Sequence, residues 1–112
     1  MDIYGIKNCD TVKKALKWLD SNNRHYAFHD FKKEGVNRVQ LTAWENQVGW
    51  ETLLNRRGTT WRKLPDEVRD NIDRDSALTV MEENPSIIKR PVVEHQGQVS
   101  VGFNADEWAS TF

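Results

Sequence analysis

The 112 residues include a single cysteine, Cys9. That excludes an internal disulfide and a structural Cys-rich zinc site. Long apolar runs are missing as well. No stretch approaches the ~18 apolar residues needed to span a bilayer, so no membrane partner is expected. Net charge is almost absent: 16 Lys and Arg stand against 17 Asp and Glu, a formal balance of -1. Global attraction to nucleic acid or to an anionic membrane is therefore not supported, and no direct nucleic-acid binding is expected. With three prolines and six glycines there is no Gly/Ser/Pro linker, and no repeat interrupts the chain. The opening MDIYGIKNCD has an acidic second residue and no apolar h-region. It does not read as a secretory signal, and a cytoplasmic protein is the expectation. Aromatics, in contrast, are plentiful. Five Trp, four Phe and two Tyr can anchor a core, so the polar composition does not imply disorder. The length suits a single domain, 1–112.

Periodicity places the elements. Asp2–Ile6 reads as a short buried strand. Asp10 or Thr11 can cap a following helix, on which Val12, Ala15, Leu16 and Leu19 fall on one face. His25–Phe31 alternates and is rich in aromatics, as a second strand does. A helix between two strands works as a crossover, which favours parallel pairing. The middle is helical. Asn37 caps a helix that Gly49 stops, and Trp50–Leu54 is a short helix. Thr59 or Thr60 opens another, Pro65 suits the first turn of the next, and Asp75 or Ser76 caps a segment ending before Pro85. The last third alternates again. Pro91–His95 and Val99–Phe103 are strands joined through Gln96-Gly97-Gln98, and Asn104 caps a terminal helix with Trp108 inward. The order βαβ, helices, ββα is that of an α/β thioredoxin-like fold. It has a mixed four-stranded sheet and a helical insertion over about 36–90.

Cys9 falls between a strand end and the first turn of a helix, where free backbone N–H groups and the helix dipole favour an anion. Lys13 follows four residues on and Lys7 precedes by two. A thiol so placed has its pKa lowered towards neutrality, although Asp10 acts in the opposite sense. Val12 stands where a C-x-x-C motif would have its second cysteine. A dithiol cycle is therefore excluded, and a one-cysteine cycle needs an outside thiol.

The run from Ile3 to Ala15, IYGIKNCDTVKKA, resembles the active-site loop of the glutaredoxin-linked arsenate reductase (ArsC) family, in its YffB or Spx-like branch. NPSIIKRPVV, from Asn84 to Val93, resembles that family's Arg-Pro signature, and LLNRRG, from Leu53 to Gly58, its middle basic segment. The likeness spans essentially the whole chain. It implies that Cys9 is the redox or nucleophilic residue, with Lys13 and Arg90 beside it as catalytic partners. It implies a cis Arg90-Pro91 bond lying against the cysteine. It assigns Lys7, Asn8, Asn55, Arg56, Arg57 and Pro91 to binding of the substrate or of glutathione. Glutathione is the implied co-substrate, with no bound cofactor and no metal. Glutathione or glutaredoxin is the implied partner, and a small oxyanion or a disulfide the substrate.

Departures qualify the substrate. The family's middle Arg aligns with Asn55 and a later one falls near Phe103, with no Arg after Arg90. Arsenate is held by planar multidentate donors, so a glutathione-dependent thiol/disulfide reductase fits better than a true arsenate reductase. A third reading is a non-enzymatic Spx-like regulator that binds RNA polymerase. His25 and His29 lack an obvious third ligand and are not read as a metal site. Trp61, among Arg56, Arg57 and Arg62, reads either as a solvated basic helix end or as the lining of a peptide or thiol groove.

Overall fold

The computed structural model describes residues 1–112, which divide into two compact units. The first comprises Met1–Asp30 and Arg90–Phe112, the second Phe31–Lys89. No helix is long and apolar enough to cross a membrane.

The first unit holds β1 (Asp2–Gly5), α1 (Asp10–Ser21), β2 (Ala27–Asp30), β3 (Val92–His95), β4 (Gln98–Val101) and α8 (Ala105–Thr111). The sheet order is β2-β1-β3-β4. β1 runs parallel to β2 and antiparallel to β3, and β3 pairs antiparallel with β4. This is the mixed sheet of a thioredoxin-like fold. Register explains its core. Ile3 lies opposite Phe28 and Val93, so these three share one face. Onto that face pack Ala15 and Leu19 of α1 and Trp108 of α8. Gln96 and Gly97 both take positive φ (52° and 77°), the two-residue turn that suits the twist of a hairpin.

Several boundaries differ from the sequence reading, most of them by one or two residues. β2 begins at Ala27, and Phe31 turns instead into a short helix. Gln98 belongs to β4 and not to the turn. Cys9, not Asp10 or Thr11, is the N-cap of α1. Its backbone is extended (φ -85°, ψ 127°), and its carbonyl already accepts the Lys13 N–H at 2.9 Å. Likewise Asp73, not Asp75 or Ser76, caps its helix. Asp73 accepts the Ser76 amide while the Ser76 hydroxyl accepts the Asp73 N–H, a reciprocal box that satisfies two exposed donors.

Gly5 sets how closely α1 approaches β1. A Cβ there would sit 2.8 Å from Val12 Cγ2, itself fully buried. Gly5→Ala is expected to cost about 1–3 kcal/mol by overpacking, read as a lower urea midpoint at unchanged slope. An unchanged midpoint would show that the helix can move away freely.

The second unit is helical: α2 (Phe31–Glu34), α3 (Arg38–Val48), α4 (Trp50–Leu53), α5 (Thr59–Arg62), α6 (Asp66–Asp70), α7 (Arg74–Glu83) and a 3-10 turn at Pro85–Ile87. Asn37 caps α3 in a box with Gln40, and Gly49 ends it with φ 85°. Leu41 and Trp44 of α3 and Ala77, Leu78 and Met81 of α7 are buried. Arg74 donates to Glu45 at 3.0 Å and Arg38 to Thr79 at 3.0 Å, closing the same helix pair at its surface. A narrow antiparallel bridge completes the unit. The Asn55 N–H donates to the Ile87 carbonyl at 2.8 Å and the Lys89 N–H to the Leu53 carbonyl at 2.7 Å.

Candidate active site

The loop Ile6–Cys9 closes with the Cys9 N–H on the Ile6 carbonyl at 3.1 Å, delivering Cys9 to the start of α1. The thiol is half-buried and in no disulfide. Burial is the largest single influence on it and raises its pKa. The lowering influences together outweigh burial, and the thiol ends below its ordinary value. They are the Val12 N–H, a hydrogen bond from the Arg90 side chain, the Arg90 charge and the Thr11 N–H. The two amides are among the donors that every helix leaves free at its first turn, and they favour the thiolate although the Cys9 side chain makes no cap hydrogen bond.

Arg90 comes from the other end of the same unit. It enters β3 through a cis Arg90-Pro91 bond, as the resemblance implies, and Pro91 is buried. Lys13, Lys7 and Asn8 are exposed around the loop. Neither Lys13 nor Asp10 is among the groups that shift the thiol. The charge acting on the sulfur is therefore that of Arg90, reached from 81 positions along the chain. The free helix N–H groups expected at Cys9 are those of Thr11 and Val12, which the sequence did not single out. Their signal was the cap position: with Cys9 as N-cap, the amides two and three residues on face it.

Asn55, Arg56 and Arg57 lie in the helical unit. The Asn55 carboxamide oxygen accepts the Arg57 N–H at 3.0 Å, so its side chain shapes the turn that carries both arginines. His29 Nε2 meets Asp2 Oδ1 at 2.9 Å while its ring stacks on Tyr4, which occupies it structurally.

Arg90→Gln is expected to raise the Cys9 pKa, because removing a nearby cation disfavours the thiolate while burial still acts. Alkylation at pH 7 should slow and its pH profile move to alkaline values. An unmoved profile would remove Arg90 from the site.

Known proteins share this fold. A solved structure of a YffB protein matches with a TM-score of 0.94 and 47% identity, over 97% of this chain and 96% of that one. An arsenate reductase (ArsC) related protein from Brucella melitensis is 50% identical, with a TM-score of 0.80 over 97% of this chain and 91% of that one. The global transcriptional regulator Spx 1 of Lactococcus lactis subsp. lactis is 29% identical over 96% of this chain and 84% of its own length. Residues 4–111 match the model of the ArsC family, and the chain belongs to that family.

Proposed function

We propose that the chain is a glutathione-dependent thiol/disulfide reductase with Cys9 as its single nucleophile. The observation that carries the reading is the Cys9 thiol, lowered by two helix N–H groups and by Arg90 although burial opposes them. In the first step Cys9 Sγ, as thiolate, attacks one sulfur of a substrate disulfide. The S–S bond breaks, a Cys9 mixed disulfide forms, and the other sulfur leaves as thiolate to take a proton from water. Where the attacked sulfur is that of glutathione, a second glutathione thiolate attacks the glutathionyl sulfur. Oxidised glutathione leaves and the Cys9 thiolate returns. The net exchange converts one glutathione mixed disulfide and one glutathione into the substrate thiol and oxidised glutathione, so no second protein cysteine is required. Arg90 stabilises the thiolate as attacking and as leaving group. Lys7 and Lys13, exposed beside the loop, are placed to attract carboxylates of an anionic thiol.

The test combines intact-protein mass spectrometry with turnover. Incubation with oxidised glutathione should add one glutathionyl group at Cys9, released by excess glutathione, and a mixed-disulfide substrate should be turned over. The arsenate reading, favoured by the name of the Brucella relative, predicts arsenate-dependent glutathione oxidation in the same assay. Absence of adduct and of both turnovers would leave the regulator reading suggested by the Spx relative, which needs no activated thiol.

A further inference from the structure

The helical unit contains a basic pocket that includes Arg56 and Arg57, the residues the resemblance assigns to substrate or glutathione binding, and none of the thiol steps above employs it. It is lined by Glu51, Leu54, Arg56, Arg57 and Lys89 and has a volume of about 310 Å³. Hydrogen bonds hold the backbone around Arg57 and Lys89. Lys89 and Leu53 are joined across the bridge, Asn55 holds the Arg57 amide, and Arg62 donates to the Arg57 carbonyl at 3.2 Å. The Arg56 guanidinium lies over two indoles at once, 5.6 Å from the Trp50 ring centre and 5.5 Å from that of Trp61. An exposed arginine held by two rings has lost most of its rotamer freedom before any ligand arrives. Its N–H edges stay available for a planar, two-pronged acceptor. No carboxylate lies within ion-pair distance of Arg56, Arg57 or Lys89. From 56 to 63 the sequence carries four cations (Arg56, Arg57, Arg62 and Lys63) and no acid.

We propose that this pocket binds carboxylate side chains of an acidic peptide segment on a partner protein. Three features select that occupant. Unpaired guanidinium groups and an ammonium call for anions, and a fixed guanidinium favours carboxylate pairs. Glu51 on the rim repels a dense polyanion such as a nucleic-acid backbone, yet it can accept N–H groups of a peptide. The faces of Trp50 and Trp61 turned to Arg56 are covered by it, which disfavours base stacking there. Trp and Arg together are also the residue types that dominate binding energy at protein interfaces. The site stands apart from the reductase reading, and a Cys9→Ser chain keeps it.

The experiment titrates the full chain, followed by calorimetry and by tryptophan fluorescence, with an N-acetylated tetraglutamate amide, its tetraglutamine counterpart and a short oligo-dT. Tetraglutamate should bind saturably and weaken with salt, and tetraglutamine should not bind. Arg57→Gln and Lys89→Gln, whose side-chain charges make no contact within the fold, should each weaken binding about fivefold or more while leaving the thermal transition in place. Glu51→Gln should tighten it. Equal binding of both peptides, binding of oligo-dT in preference to tetraglutamate, or unchanged affinity in Arg57→Gln would each overturn the proposal. Because Cys9→Ser should bind tetraglutamate as the parent chain does, loss of the reductase reading would not carry this one with it.

Discussion

Cys9→Ser is expected to lower disulfide-reductase turnover by about a thousandfold or more, to the rate of the uncatalysed exchange. The chain has no second thiol to take over. A serine hydroxyl at the start of α1 is not ionised near neutrality, and a sulfur–oxygen adduct would not exchange with glutathione. The substitution nearly conserves shape, and serine is a better helix N-cap than cysteine, so the fold should be kept or slightly stabilised. The contrast between intact thermal unfolding and absent turnover is what identifies a chemical role. Residual turnover within tenfold of the parent chain would show that Cys9 is not the nucleophile.

Trp108→Ala is expected to have the largest effect on stability, about 3–5 kcal/mol. Trp108 is 4% exposed and meets Phe103, Phe112 and Trp18 edge-on, at ring-centre distances of 4.8, 5.3 and 5.6 Å. Removing it opens a cavity against Ile3, Leu19 and Val93, the residues that join α1 to the sheet. For a domain with a total stability of about 5–15 kcal/mol this is a large fraction, and the melting temperature should fall by more than about 12 °C. Val39, 79% exposed on α3, is the control. Val39→Ala should change stability by less than about 0.5 kcal/mol. Similar melting temperatures for the two variants would contradict the core as described. The same substitution bears on function, since α1 presents Cys9 only while its buried face is held to β1.

Patterns that repeat within a few residues were legible in the sequence. Val12, Ala15 and Leu19 gave α1 its buried face, and Asn37 and Asn104 gave two helix caps. The turn at Gln96-Gly97 gave the final hairpin. Where two local preferences compete, the reading slipped. Asp10, Thr11, Asp75 and Ser76 are all good caps by type, but the cap is the last residue with an extended backbone before the helix, and that is Cys9 in one case and Asp73 in the other. Phe31 continues the alternation of β2, yet it is buried with the helical unit against Trp44. At the candidate site, the strand-to-helix placement of Cys9 was readable and the source of its electrostatics only partly so. Lys13 is near in sequence, but its exposed ammonium is not among the groups acting on the thiol. Arg90 is distant in sequence, and only the sheet pairing of β1 with β3 makes it a neighbour. Trp50 could not be assigned to Arg56 from spacing either, because α4, the following turn and α5 must all form before both indoles meet one guanidinium.

The central claim is that the helix amides and Arg90 hold the Cys9 thiol below its ordinary pKa. The most direct measurement is the rate of iodoacetamide alkylation of the native chain as a function of pH, set against the same chain in denaturant. The account predicts a native inflection below that of the denatured thiol, near 8.5 for an ordinary cysteine. A native inflection at or above the denatured one would mean that burial outweighs the helix amides and Arg90, and it would contradict the account.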